Sequence, residues 1–323
     1  MTETATWREV GDRVFVRRHR AFDLNIGLVQ GHGGCLVVDT HGSAADGREL
    51  AEAVRRVTAD PWLVVDTHAH FDHCFGNASF RPAEIWGHRR CAENMRVYGD
   101  VQRRLMAAAA RRRDLPEVAD RLETTRIDPP DQLVDAAATL AVGGRQVRLA
   151  HLGRGHTDND LVVVVPDAAV LFAGDLVEQG APPAFEDAFP LDWPGTLDAM
   201  LELVQAAVVP GHGAVVGREH VLAQRAEIAR TADVARAGYA EGRPLDAVLA
   251  DVPFPEAFAR PAVERAYRQL RGDPPYDPPE ELLNRPAPGR RDRNRCRYSW
   301  KDLTSRNSSR PYRPSSRPLP DCL

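Results

Sequence analysis

Thr67-His68-Ala69-His70-Phe71-Asp72-His73 places three imidazoles and a carboxylate within six residues. The stretch follows the apolar run 61–65 (Pro-Trp-Leu-Val-Val), which is too short for a buried helix and reads as a strand. A loop leaving a strand end can turn several side chains toward one point. His68 and His70 alternate, so in an extended segment they share one side, and Asp72 and His73 remain to serve a second ion. Neutral imidazole and carboxylate are the ligand types that divalent zinc takes among those available here. Histidine is 11 of 323 residues, so composition alone does not account for the cluster.

Around this loop the chain alternates between short strands and helices. Upstream, residues 13–17, 25–29 and 35–39 carry strand patterns, with turn chemistry at Gly31 to Gly34. Ser43 can cap a helix running to about Val57, with Leu50, Val54 and Val57 on one face. Downstream, residues 88–125 read as helical with a break near Pro116. Residues 139–142 and 146–151 form a hairpin about Gly143-Gly144. Residues 161–165 and 169–173 are strands, 196–204 a helix, 207–209 a short strand, and roughly 218–270 helical. That order suits an α+β protein with two sheets and helices outside, a four-layer αββα sandwich, better than a regular βαβ repeat. We divide the chain into a catalytic core (1–215), a helical extension packed on it (216–284) and a tail (285–323). The tail is rich in Pro, Ser, Arg and Asn, cannot bury enough surface to order itself, and is expected to be disordered.

Four further segments stand at strand ends or in loops: Val37-Val38-Asp39-Thr40, Gly155-His156-Thr157, Phe172-Ala173-Gly174-Asp175 and Pro210-Gly211-His212-Gly213. Together with His68-x-His70-x-Asp72-His73 they resemble, in order, the motifs of the metallo-β-lactamase superfamily over about residues 10–215. The resemblance implies that His68, His70 and His156 bind one metal, that Asp72, His73 and His212 bind a second, and that Asp175 bridges them. Asp39 matches the early structural aspartate, and Asp72 is also the candidate catalytic carboxylate. The implied cofactors are two zinc ions, with iron or manganese as alternatives. A hydroxide held between them would attack an ester, lactone, thioester or related bond of a small-molecule substrate.

The same resemblance narrows the branch. His70 stands where the flavodiiron oxygen reductases have Glu, and Asp175 is a full carboxylate, as in glyoxalase II and related hydrolases. Only 36 residues separate Asp175 from His212, which leaves no room for the extra domain of the nucleic-acid-processing branch. No glutathione-binding set of basic residues is recognisable. The alternatives are a mononuclear iron persulfide dioxygenase using His68, His156 and Asp175, and a non-catalytic binding protein on the same scaffold.

Other residues carry two readings each. Cys74 follows His73 and is either a metal neighbour or a small packed residue. His151 is a core or supporting histidine or an added ligand, and His41 and His88 are read as exposed turn residues. Asp158 either orients His156 or serves a turn. The loop 181–193 carries Phe185, Phe189 and Trp193, which either wall a substrate pocket or anchor the loop.

The net charge of −4 divides unevenly. Residues 285–323 hold 11 basic and 3 acidic residues, a net of +8, which leaves the preceding chain at −12. An acidic body disfavours binding of nucleic acid. Arginine makes up 41 of the 42 basic residues, so the arginines of the tail follow a skew of the whole chain. The body has no run of about 18 apolar residues, and the first 20 residues carry no apolar core of a signal peptide. Five cysteines with no CxxC pair point to free thiols and a cytoplasmic setting. Oligomeric state has no signature here.

Overall fold

The alternation of valines and leucines along single strands assigns the layers. The computed structural model describes residues 6–19 and 21–284. Its first sheet contains β1 (Trp7–Gly11), β2 (Val14–His19), β3 (Leu24–Gln30), β4 (Cys35–Val38), β5 (Trp62–Val65), β6 (Ile85–His88) and β7 (Gln132–Val134), in the order 7-6-5-4-3-2-1. The second contains β8 (Ala137–Val142), β9 (Arg145–Ala150), β10 (Val162–Val165), β11 (Val170–Glu178) and β12 (Ala207–His212), in the order 12-11-10-9-8. The two are joined where His212 of β12 pairs with Leu24 of β3.

In β10, Val163 and Val165 turn toward Val14, Val16, Val29, Leu36, Val38 and Val65 of the first sheet. Their neighbours Val162 and Val164 turn the other way, onto α5 (Trp193–Leu201), α6 (Arg218–Ala240) and α8 (Glu256–Arg271) through Leu197, Ile228 and Ala262. On the first sheet, Leu28, Val37 and Val64 pack outward against Leu50 and Val54 of α1 (Ala44–Arg55). Each buried Val or Leu contributes roughly 1.5–3 kcal/mol. A one-residue slip would send every one of these side chains to the wrong face, so the alternation sets register as well as layer. The result is the αββα sandwich.

Ser43 caps α1, its hydroxyl oxygen accepting from the Asp46 amide at 3.1 Å. The helical stretch breaks as its proline requires, into α3 (Arg89–Arg112) and α4 (Pro116–Glu123), with Pro116 in the first turn of α4. The hairpin β8–β9 turns through Gly143 and Gly144 with φ of 52° and 83°, the left-handed geometry that such a turn needs. Three strands escape the sequence pattern: β1, β6 and β7 are short and lie at or near sheet edges. β11 runs to Glu178, past the expected end at residue 173, because register shifts about Gly174 let it bend and continue. Beyond α6 the described chain continues through α7 (Leu245–Val248), α8 and α9 (Pro279–Asn284). The expectation for residues 285–323 lies outside the described residues. Among those described, no helix is long and apolar enough to cross a membrane.

Candidate metal centre

Asp39 organises the first loop. It follows β4 with φ 65°, which turns its buried carboxylate toward the end of β5. There Oδ1 accepts from the Thr67 amide at 2.7 Å and Oδ2 from the Thr67 hydroxyl at 2.9 Å. The same Oδ2 lies 2.8 Å from His73 Nδ1. Two long-range bonds complete the loop: Ala69 N donates to Asn159 Oδ1 at 3.0 Å and Leu161 N to the Thr67 carbonyl at 2.8 Å. His68 and His70 therefore leave a loop that bends at residues 67–69 in place of the expected extended segment, and Asp72 and His73 leave the four-residue helix α2 (Phe71–Cys74).

The other three side chains arrive from the second half of the sandwich. His156 sits in a loop tied by Asp160, whose carboxylate accepts from the Thr157 amide at 2.8 Å and hydroxyl at 2.6 Å. Burial pushes the Asp160 carboxyl up to about 7. Asp175 lies in β11 directly after Gly174, whose φ is 52°. His212 ends β12 after Gly211, where a Cβ would fall 1.8 Å from Asp175 Oδ1. Only a residue without a side chain lets β12 pass this close.

The seven side chains form two groups, and within each the ligand-type atoms lie within 4.8 Å of one another: His68, His70, His156 and Asp175, then Asp72, His73 and His212. In the first, His68 Nε2 and His156 Nε2 stand 3.0 and 2.9 Å from His70 Nδ1, and Asp175 Oδ2 lies 3.6 Å from His156 Nε2. In the second, His212 Nε2 is 3.4 Å from both His73 Nε2 and Asp72 Oδ2. Asp175 reaches this group too, with Oδ1 3.2 Å from His73 Nε2 and Oδ2 3.4 Å from His212 Nε2.

Ring tautomers test whether cations fit. His212 Nδ1 lies 2.7 Å from the Phe22 carbonyl, which can only accept, so Nδ1 carries the proton. In the neutral ring, Nε2 then turns its lone pair toward the Asp72 and Asp175 carboxylates. A lone pair facing carboxylate oxygens in a buried space is repulsive, and a cation among them reverses the sign. A proton can play that part. Burial lowers His212, but the charges of Asp175 and Asp72 outweigh it and raise the ring to about 9. His73 is likewise raised well above its ordinary value, against burial, by Asp175, Asp39 and Asp72. His68 is pushed well down by burial and by His73. The donor set thus fits divalent ions, with the outward nitrogens of His73 and His212 already partnered.

A model of the metallo-beta-lactamase superfamily matches residues 20–212. The chain belongs to that superfamily. As a member it is an enzyme, and superfamily members generally bind metal ions. It is 26% identical to human "Acyl-coenzyme A thioesterase MBLAC2" over 66% of this chain and 83% of that protein. It is 30% identical to "Metallo-beta-lactamase type 2" of Bacteroides fragilis over 28% of this chain and 38% of that protein. Among solved structures, the stereoselective inverting sec-alkylsulfatase Pisa1 from Pseudomonas sp. superposes with a TM-score of 0.67 at 17% identity, covering 88% of this chain. This chain spans 52% of Pisa1's own length. The DIM-1 metallo-beta-lactamase gives a TM-score of 0.54 at 20% identity, covering 71% of this chain and 98% of that one. Identities this low establish the fold alone.

Several residues of this superfamily member fall differently from their sequence reading. Phe185, Phe189 and Trp193 are buried, not at an open pocket wall. Trp193 donates to the Leu176 carbonyl at 3.2 Å and stacks 5.7 Å from His156, and Phe185 packs between Trp193 and Phe254. Phe185 and Trp193 enter the apolar cluster over α5 and α8, and Phe189 lies against the guanidinium groups of Arg154 and Arg265, so all three rings help to anchor the loop. Asp158 does not serve His156: it accepts from Tyr276 Oη at 2.8 Å and Asn159 Nδ2 at 3.0 Å. His151 stacks on His88 at 4.3 Å and bonds the Asp160 carbonyl. His88 and His41 are buried, not exposed. Cys74 is fully buried, its thiol raised well above the ordinary value by burial, and it bonds the His70 carbonyl at 3.2 Å.

The sequence reading missed Asp187, whose Oδ2 lies 2.9 Å from His70 Nε2. A signal existed: a metal-binding histidine needs an acceptor on its far nitrogen, and the loop between Asp175 and His212 holds the acidic pair Glu186-Asp187. An open cavity of about 910 Å³ lined by His88, Arg89, Arg90, His151 and Arg154 contains none of the seven donors.

Proposed function

We propose that this enzyme is a hydrolase working with two divalent ions, zinc foremost and iron or manganese as alternatives, on an acyl thioester or ester. The observation that carries the reading is the pair of donor groups sharing Asp175. His68, His70 and His156 would hold one ion, Asp72, His73 and His212 the other, and Asp175 both. Two such ions supply an acidified water as nucleophile and polarise the substrate's oxygen. The protein's own part is orientation. Asp39, Phe22 and Asp187 hold His73, His212 and His70 by their outward nitrogens. Asp72, fully buried beside His212, faces the same space and remains the candidate catalytic carboxylate.

A thioester stands first among substrates because the similarity to the human acyl-CoA thioesterase covers most of that protein. The β-lactamase similarity covers a shorter segment. The iron dioxygenase alternative would use only His68, His156 and Asp175 and leave the second group without a task. We place the enzyme in a reducing cytoplasm, on the three free buried thiols of Cys35, Cys74 and Cys91.

The test is a zinc-loaded panel of acyl-CoA, S-acylglutathione, carboxylic ester, lactone, β-lactam, phosphodiester and alkyl sulfate, run with elemental analysis. Two metal equivalents and fastest turnover of acyl-CoA are expected, with both metal and turnover lost in His70→Ala and Asp175→Ala. Full metal retention in those variants refutes the ligand assignment. One iron with oxygen uptake on a persulfide establishes the dioxygenase instead.

A further inference from the structure

α8 lies outside the residues matched to the superfamily, yet one of its side chains reaches the loop behind His70. Arg265 is buried, 7% exposed. Its guanidinium donates from Nε to the Ala188 carbonyl at 2.9 Å, from Nη2 to the Asp187 carbonyl at 3.0 Å and from Nη1 to the Pro275 carbonyl at 2.7 Å. The planar fork thus fixes two consecutive peptide units and a second segment of chain. Phe189 completes the clamp, its ring 5.5 Å from the Arg265 guanidinium and 4.7 Å from that of Arg154.

The segment carrying Pro275 is itself pinned. Tyr276 donates its hydroxyl to Asp158 at 2.8 Å, and Arg268 donates to Asp277 at 2.7 Å and to the Pro274 carbonyl at 2.9 Å. The peptide units that Arg265 holds, 187–188 and 188–189, are the two that directly follow the side chain that meets His70. Asp187 Oδ2 lies 2.9 Å from His70 Nε2, and this contact keeps His70 Nδ1 facing His68 and His156.

We propose that Arg265 is a positioning residue of the metal centre, clamping the backbone at 187–188 so that Asp187 holds the ring of His70. This rests on the reading of the donor groups as a metal site. The helical region beyond the superfamily match then completes the site without touching metal or substrate.

A double-mutant cycle on metal affinity tests it. Metal-free wild type, Asp187→Ala, Arg265→Ala and the double variant are titrated with zinc against a competing chelator, and kcat, KM and melting temperature are measured alongside. Asp187→Ala is expected to weaken zinc binding about 10–100-fold, the range for lost supporting partners of metal-bound histidine. Arg265→Ala is expected to weaken it about tenfold or more. The double variant is expected to be no weaker than Asp187→Ala alone, because Arg265 acts through that carboxylate. Arg265→Lys is expected to fall between, since one ammonium cannot span three carbonyls.

Additive losses, or wild-type affinity in both Arg265 variants, overturn the proposal. If Arg265→Ala does not fold, the cycle is run with Arg265→Lys and reads the same way. A wild type that takes up no metal overturns the metal reading and this proposal together. A metal-binding wild type with an additive cycle overturns the role of Arg265 alone.

Discussion

Gly211→Ala tests the site at the place where backbone and ligand come closest. Gly211 is absent from the residues with left-handed φ, so its conformation alone accepts an alanine. Space does not: the new Cβ would stand 1.8 Å from Asp175 Oδ1 and 3.0 Å from Cγ, where ordinary contact begins near 3.4 Å. The carboxylate must therefore retreat by about 1.6 Å, or β12 must move by as much and carry His212 with it. Either shift exceeds the displacement of about 1 Å that costs on the order of 100-fold in rate, equivalent to about 2.7 kcal/mol of barrier. The bridging position is affected, so both ions should bind more weakly. Gly195→Ala is the matched control. It lies in α5 with no atom within 4 Å of the added Cβ, and in a helix the change should stabilise by about 0.4–1 kcal/mol. Metal content, kcat/KM on the best substrate of the panel and thermal melting are measured for both. A Gly211→Ala protein that keeps two metal equivalents and wild-type kcat/KM would show that Asp175 is not a shared ligand.

Removal of the Asp39 carboxylate in Asp39→Ala takes the acceptor from His73 Nδ1 and two bonds from Thr67; zinc affinity should fall about 10–100-fold, and an unchanged chelator competition curve would contradict the orienting role. The metal-free protein should lose stability with rising pH. The His212 ring is raised from 6.5 to about 9, so its contribution is complete below about 6.5 and is lost as pH climbs through about 9. His73 acts with the same sign. Melting with and without chelator across that window checks this, since zinc occupies the proton's place and the loaded protein should show no such loss. Alkylation of the native protein followed by peptide mapping should leave Cys35, Cys74 and Cys91 unmodified, because all three are buried and burial raises their thiols; rapid labelling of Cys74 would show that the loop before it opens.

The candidate donors that the structure brings together were legible because each stands beside a local signal. His68 to His73 follow an apolar strand, Asp175 follows a glycine inside one, and His212 sits in Pro-Gly-His-Gly. Local patterning also carried α1, the Pro116 break and the β8–β9 hairpin. Arg265 had no such neighbour, and Asp187 had only the acidic pair it forms with Glu186 on the loop. Asp187 meets His70 across 117 residues of sequence, and Arg265 meets Ala188 across 77. Those partnerships are chosen by the packing of α8 on the loop, which no short window contains. The rings of Phe185, Phe189 and Trp193 illustrate the same limit. Three aromatics on a proline-rich loop fit a pocket wall and a buried anchor equally well until it is known which apolar cluster lies beneath them.

The centre also lies on the seam of the fold. His68, His70, Asp72 and His73 come from the first sheet's loop, and His156, Asp175 and His212 from the second half. The halves meet by main-chain pairing at His212 and Leu24, with Asn25 donating to the Pro210 and Gly213 carbonyls at 2.9 and 2.8 Å and Gly213 N to the Asp23 carbonyl at 2.9 Å. Buried directly beside that seam are two carboxylates facing imidazole nitrogens. Without a cation or a proton, these groups oppose the closure that the hydrogen bonds favour. The free energy of cation binding is then partly free energy of holding the halves together. Phe22 and Asp187, which reach His212 and His70 across the join, would then serve both as orienters of ligands and as ties between the halves, and a clamp as remote as Arg265 would act on the centre through the second of them.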